Sequence, residues 1–296
     1  MLSICIPVYN TDGSNLVKIL LDQMGQIKEE LELIVIDDAS DAFQNNFQDF
    51  SHPRFKYIPL KSNIGRAKIR NYFREVASQP YLLFIDGDSE ITSPFFLDYY
   101  VKEIKTLRID VLCGGSVYQE DRPKRSQYLR WKYSKIRESK PAKIRISKNI
   151  GFKTNNFIIR KTIFDQISFN ESLEGYGHED TLFGFEIKKN NILVHHIDNP
   201  VLNRILDNNE SFLIKTKQGV NNLKKVLELV NYDPEFIAGN RLSNMYFTIK
   251  KNKLLVVFKF IFWSLHPLNS FLLKKGVFVL PMLDMFKLRC LIEAES

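Results

Sequence analysis

The stretch Tyr81-Leu82-Leu83-Phe84-Ile85-Asp86-Gly87-Asp88-Ser89-Glu90 constrains the fold most: an unbroken apolar run that ends abruptly in two carboxylates separated by glycine. Consecutive apolar residues suit a strand covered on both faces, as in a parallel sheet flanked by helices. In open α/β sheets, ligands bind beyond the carboxyl ends of such strands. Asp86 and Asp88 are therefore expected where a ligand sits. Two acids at this spacing can hold one hard divalent cation, and the cation can hold phosphate oxygens, while Gly87 permits close backbone approach. A solvated Asp-Gly turn is the other reading of the same residues.

The flanking sequence repeats the theme. Ser3–Asn10 reads as a first strand emptying into Thr-Asp-Gly, and Leu16, Val17, Leu20, Leu21, Met24 and Ile27 then recur at helical spacing after a cap at Ser14. A second strand, Leu31–Ile36, ends in Asp37-Asp38, so two separate strands present acids at their tips. Arg54–Leu60 reads as an edge strand, and Asn63-Ile64-Gly65 turns into a helix beginning with Arg66, Lys68 and Arg70. Cations at a helix start suit a diphosphate, and an ordinary solvated face reads the same way. Pro94 is expected in the first turn of a helix reaching Leu107, and Val111–Val117 is expected to form one further strand. Alternating strands and helices argue for a mostly parallel sheet with helices on both faces.

With 296 residues, 44% hydrophobic and 26% charged, the chain can bury a full core. A net charge of +8 points to an anionic partner, and eleven Lys and Arg against one Glu between Arg122 and Lys148 concentrate it. Tyr128, Trp131 and Tyr133 lie among these cations, a mixture that suits an anionic bilayer surface or substrate. No nucleic-acid-binding motif accompanies them, so nucleic acid is not expected as a partner. Cys5, Cys113 and Cys290 are too widely spaced for a zinc site or disulfide framework and read as buried thiols in a reducing cytoplasm. Met1–Val8 reads as a strand, and no signal peptide is expected.

Gly151–Arg160 resumes strand-like alternation, and a short helix is expected over Thr162–Ile167. Glu174-Gly175-Tyr176-Gly177-His178-Glu179-Asp180 follows, with two acids at the start of an apolar helix. Acids there are favoured by the helix dipole whatever the function, but a Gly-aromatic-Gly run is not something a cap requires. His195 and His196 fall on opposite faces of a strand over Ile192–Ile197, so at most one faces a site; His196 is the metal-ligand candidate. Glu210–Val230 reads as an amphipathic helix. The apolar run Leu254–Leu265, interrupted by Lys259, is shorter than the roughly 20 residues a membrane-spanning helix needs. With lysines around it, this tail reads as an anchor at an anionic membrane surface, or as a helical cap on the chain itself or on another subunit.

Ile6-Pro7-Val8-Tyr9-Asn10, Ile36-Asp37-Asp38-Ala39-Ser40, Asn63-Ile64-Gly65 with Arg70-Asn71, Phe84-Ile85-Asp86-Gly87-Asp88, and Gly175-Tyr176-Gly177-His178-Glu179-Asp180 together resemble the family-2 glycosyltransferases of the GT-A fold, in order and spacing. Each is weak alone; five in register over about the first 200 residues are specific. The resemblance implies a GT-A, Rossmann-like α/β domain over residues 1–206, with a nucleotide-binding half over 1–120 and an acceptor half over 121–206 that carries the basic insertion 122–148. A helical C-terminal region over 207–296 completes the chain and is a surface for membrane or oligomer contact.

The same resemblance implies inverting transfer of a hexosyl or N-acetylhexosaminyl group from a nucleotide sugar, a UDP-sugar, to a hydroxyl of a glycan or lipid-linked acceptor, in surface-polysaccharide synthesis at the cytosolic face of the inner membrane. By similarity, Pro7 and Tyr9 border the nucleoside, Asp38 binds uracil or ribose, and Gly65 and Arg70 lie near the nucleotide. Asp86 and Asp88 bind Mn2+ or Mg2+ against the diphosphate. Asp180 is the general base and Glu179 orients the acceptor. Related sequences carry a histidine where this chain has Asn203, which leaves the third ligand to His196 or to waters and diphosphate. Phe84–Ser89 also resembles the DxD nucleophile of haloacid-dehalogenase-like phosphatases, and an inactive scaffold of the same fold is the non-enzyme alternative.

Overall fold

The computed structural model describes residues 1–43, 47–48, 50–107, 109–147, 152–204, 206–277 and 279–295; Lys148, the end of the basic insertion, and Gly151, the first residue of the strand-like run to Arg160, lie outside them. The chain divides into two compact units. The first comprises Met1–Gln119, Glu138–Ser172 and Glu179–Ile205; the second comprises Glu120–Arg137, Leu173–His178 and Leu206–Ser296. The basic insertion is therefore shared between the units, and the Gly-Tyr-Gly-His run belongs to the second while Glu179 and Asp180 belong to the first.

In chain order the first unit contains β1 (Leu2–Val8), α1 (Ser14–Gln26), β2 (Leu31–Asp37), β3 (Phe55–Pro59), α2 (Arg66–Val76), β4 (Tyr81–Ile85), β5 (Ser89–Glu90), α3 (Phe96–Thr106), β6 (Val111–Cys113) and β7 (Ser116–Tyr118). The second unit supplies α4 (Tyr128–Tyr133). The first resumes with α5 (Ala142–Ser147), β8 (Asn156–Arg160), α6 (Lys161–Gln166), α7 (Glu179–Lys189), β9 (Val194–His196) and β10 (Val201–Asn203). Seven strands form the main sheet in the order β3-β2-β1-β4-β8-β6-β9. The β3-β2-β1-β4 half is parallel, β8 runs antiparallel to both β4 and β6, and β9 is parallel to β6.

Strand alternation divides the apolar residues between two layers. Ile4, Ile6, Val8, Leu33, Val35, Leu83 and Ile85 pack with Leu16, Val17 and Leu20 of α1 and Phe96 and Tyr100 of α3. Cys5, Ile34, Ile36, Leu82, Phe84 and Phe157 pack with Ile69 and Phe73 of α2, Phe164 of α6 and Phe183 of α7. Helices thus cover both faces, which is why the central strands read as continuous apolar runs. All three cysteines are buried and free. Burial pushes the Cys113 thiol up to about 12 and the Cys290 thiol to about 11, so neither is poised as a thiolate nucleophile.

The structure departs from the sequence reading at several boundaries. Val111–Val117 is two strands in two sheets, because Gly114-Gly115 breaks the run and Gly115 takes φ +88°. Ser14 does not cap α1 with its side chain; its N–H donates to Asp12 Oδ1 at 3.0 Å instead. The helix after Pro94 begins two residues later, at Phe96. β7 joins β5 and β10 in a small second sheet, ordered β5-β10-β7.

The second unit is helical. After α4 it contains α8 (Asn209–Leu229), α9 (Pro234–Gly239), α10 (Arg241–Lys251), α11 (Leu255–Lys274) and α12 (Val279–Ala294). Leu129, Phe212, Leu213, Leu273 and Leu283 form its core. The apolar run at Leu254 is longer than expected: it continues through Pro267 into a 20-residue helix, long and apolar enough by length and composition to cross a membrane.

Candidate active site

The strand order reverses beside β1. From β1 the chain steps outward through β2 and β3, then returns to β4 on the other side of β1, so the ends of β1 and β4 flank a topological switch point. Tyr9 follows β1 and is half exposed, and Asp86-Gly87-Asp88 follows β4. Gly87 is required there: a Cβ would lie 2.6 Å from Val8 Cγ1 and 3.1 Å from the Pro7 carbonyl. The two strand tips therefore meet at backbone distance, and Ser89 N–H donates to the Asp86 carbonyl at 3.0 Å to turn the chain back.

The acids at the end of β2 are committed to holding loops. Asp37 accepts from the Ser40 N–H (2.9 Å), the Ser40 hydroxyl (2.6 Å) and the Tyr57 hydroxyl (2.8 Å). Asp38 accepts the Ile64 N–H on Oδ1 (2.6 Å) and the Gly65 N–H on Oδ2 (3.0 Å). Gly65 has φ +86°, outside the range ordinary residues favour, and it opens α2. Asp38 thus sets the turn that begins this helix, a role its sequence position does not reveal.

Arg70 is the organising cation. It is 2% exposed, and its Nη2 donates to Asp86 Oδ1 at 2.8 Å while Nη1 lies 3.8 Å from Glu179 Oε1. One guanidinium thus joins the acid at the tip of β4 to the acid that starts α7. Arg66 adds a second cation on Glu179 at 3.2 Å, and Lys153 pairs with Asp180 at 3.0 Å. Arg70 Nε is buried with no hydrogen-bond partner among the described residues. Asp86 and Glu179, distant in sequence, are brought together; the sequence reading placed Arg70 near the nucleotide and missed its bridging role.

Within the second unit, the Gly-aromatic-Gly run is held from α8. Asn222 Nδ2 lies 2.9 Å from the Glu174 carbonyl, 3.1 Å from that of Gly177 and 3.4 Å from that of Tyr176. Gly175, Gly177 and His178 all have positive φ, and a Cβ on Gly177 would come within 3.1 Å of the Gly219 Cα. The sequence reading missed Asn222. Its signal is a polar residue one turn beyond Gly219 and beside Leu223 on the apolar stripe of a helix, where a buried amide needs a partner.

Of the two expectations for the third ligand, His196 or waters and diphosphate, the strand order removes the first. His196 is not brought to Asp86 and Asp88: β9 is the outermost strand, three positions from β4 and so about 14 Å away across the sheet. Its Nδ1 lies 2.7 Å from Arg145 Nη1, and burial, then Arg145 and His195, push its pKa down to about 4. His196 is thus the neutral acceptor of a structural arginine that also donates to the carbonyls of Cys113, Gly114 and Ile197. Asn203, by contrast, pairs with Ser89 across β10 and β5, and the Ser89 hydroxyl lies 3.5 Å from Asn203 Oδ1. Among the described residues no three His, Cys, Asp or Glu side chains form a metal cage. Two aspartates on one turn are a hard, incomplete donor set, and this fits a cation that takes its remaining ligands from water and phosphate.

The family model described as Glycosyl transferase family 2 matches residues 3–168, from β1 through α6. The chain belongs to this family. Among solved structures, this family-2 chain is similar to a mannosyltransferase, PcManGT from Pyrobaculum calidifontis, in complex with GDP-Man and Mn2+, with a TM-score of 0.55 at 13% identity over 78% of this chain and 64% of that one. It is also similar to residues 1–349 of S. aureus TarS in complex with UDP, with a TM-score of 0.50 at 18% identity over 99% of this chain and 90% of that one. At these identities the likeness is one of fold, and the fold is GT-A. A Drosophila melanogaster protein named "Putative inactive polypeptide N-acetylgalactosaminyltransferase 12" is 25% identical over 182 residues, 53% of this chain. The family-2 chain spans about a third of that relative's length (32%). Family membership displaces the phosphatase reading of Phe84–Ser89, which leaves the other matched motifs unexplained.

Proposed function

We propose that this chain is an inverting glycosyltransferase that moves a hexosyl or N-acetylhexosaminyl group from a nucleotide sugar, a UDP-sugar, to a hydroxyl of a glycan or lipid-linked acceptor in surface-polysaccharide synthesis. The observation that carries this reading is Arg70, whose single guanidinium reaches both Asp86 and Glu179. The acid assigned to the donor diphosphate and the acid assigned to the acceptor thereby share one site.

In this reading Pro7 and Tyr9 border the nucleoside, and Asp38 shapes its cradle through the Ile64-Gly65 turn. Asp86 and Asp88 are the residues to hold Mn2+ or Mg2+, with waters and the diphosphate as the remaining ligands. When bound, the cation supplies positive charge to the leaving nucleoside diphosphate. Asp180 takes the proton from the acceptor hydroxyl as its oxygen attacks the anomeric carbon from the side opposite the leaving group, which inverts that carbon. Lys153 holds Asp180 from one side, and Glu179, fixed between Arg66 and Arg70, orients the acceptor.

The test is UDP or GDP release from a panel of nucleotide sugars with Mn2+ or Mg2+ and glycan acceptors, compared with an Asp180→Asn variant. Turnover with at least one donor, reduced by about 100-fold or more in the variant, is expected. Undiminished turnover in Asp180→Asn overturns the assignment of the base. No turnover with any donor, together with normal glycan synthesis in a cell carrying only the variant, supports the inactive-scaffold reading.

A further inference from the structure

The second unit carries a feature that glycosyl transfer does not use. Val256, Phe260, Trp263 and Phe271 recur at helical spacing along one ridge of α11, and they are 78%, 68%, 77% and 56% exposed. Val257, Ile261 and Leu268 extend the exposed apolar surface on the adjoining ridge. Scattered apolar side chains are normal on a surface, but a contiguous patch of this size marks an interaction site. The opposite stripe of α11 is already engaged: Phe262, Asn269 and Leu273 are buried, and the Asn269 amide donates to the Met282 carbonyl of α12 at 3.2 Å.

Charge identifies the occupant. The second unit holds twenty Lys and Arg against eleven Asp and Glu, whereas the first holds twenty-two against twenty-three. The whole positive excess of the chain is therefore on the unit that exposes the apolar helix. Lys250, Lys251 and Lys253 precede α11, Lys259 lies within it, and Lys274 and Lys275 close it; all six are exposed. Lysines beside an apolar ridge match an anionic lipid surface, with the side chains in the acyl boundary and the ammonium groups among headgroups.

Spanning does not suit this helix. α11 packs on α12, which carries Asp284, Lys287, Arg289 and Glu293, and Asp284 pairs with Arg137 and Arg241 at 3.1 Å each. Those charges would enter the hydrocarbon with it, at high cost.

We infer that α11 is a monotopic docking helix that lays its Val256-Phe260-Trp263-Phe271 ridge into the surface of an anionic bilayer. The test is flotation of the full chain with phosphatidylcholine vesicles with and without about a third phosphatidylglycerol. Binding to the anionic vesicles at least about tenfold tighter than to the neutral ones is expected. A Phe260→Asp/Trp263→Asp variant is expected to lose about tenfold or more of that binding with its melting temperature unchanged. Wild type should show a blue-shifted tryptophan emission on vesicles that Trp263→Phe lacks. Equal binding to both vesicle types, retention of the chain in native membranes through alkaline carbonate extraction, or a dimer that the double variant dissociates without any vesicle binding would each overturn the inference.

Discussion

Arg70 donates to Asp86 at 2.8 Å from a position almost sealed from solvent, and the same guanidinium faces Glu179. Removing a buried partner leaves uncompensated charge, so Arg70→Ala is expected to cost about 3 kcal/mol of folding stability in urea denaturation. Arg70→Lys keeps the charge but not the fork, and it is expected to fold while losing most turnover. Equal stability of wild type and Arg70→Ala would contradict the bridge.

Gly87→Ala forces a Cβ to within 2.6 Å of Val8 Cγ1, where β1 and β4 meet. A loss of about 1–3 kcal/mol is expected, with weaker nucleotide binding, because the Asp86-Gly87-Asp88 turn must move away from β1. Calorimetric unfolding and UDP titration check both parts.

How much of this was legible follows from the kind of residue involved. Apolar runs and the acids that end two of them are local patterns, so β1, β2 and β4 and the acids at the tips of β2 and β4 could be read directly. The joining of Asp86 and Glu179 through Arg70 could not, because it depends on where the topology sets α2 and the start of α7 relative to the tip of β4. His195 and His196 show the same limit: alternation puts them on opposite faces, but only strand order shows that β9 is three strands away from Asp86. The identity of Asn203 is plain in the sequence, whereas its pairing with Ser89 depends on the small second sheet. The length of α11 was underestimated because Ser264, His266 and Pro267 interrupt its apolar run without ending the helix.

The environment of His196 gives a pH dependence. Its pKa falls from 6.5 to about 4 on folding, through burial first and then Arg145 and His195. Between those values the unfolded chain binds more protons, so stability rises with pH across the window. The contribution is complete above about pH 6.5 and is lost as pH falls toward 4. Wild type is expected to lose about 1–2 kcal/mol more than His196→Gln over that range, allowing for its partial exposure. Parallel stability curves for the two proteins would contradict it.

Asn222 holds the carbonyls of Glu174 and Gly177 immediately before Glu179 and Asp180 in the chain. Asn222→Ala leaves these carbonyls without the amide, at a cost of about 1–3 kcal/mol. The turnover number and the acceptor KM are expected to suffer while UDP affinity stays within about twofold, because the residues proposed to meet the donor lie at the tips of β1, β2 and β4 and on α2. Loss of UDP binding in this variant would place the defect elsewhere.

The most direct test of a cation-assisted nucleotide site at the tip of β4 is calorimetric titration of UDP into the protein with Mn2+ and with EDTA, repeated in an Asp86→Asn/Asp88→Asn variant. The expected result is binding at least about tenfold tighter with Mn2+, a difference that disappears in the variant. UDP binding of equal strength with and without the metal, or an undiminished Mn2+ effect in the variant, would contradict it.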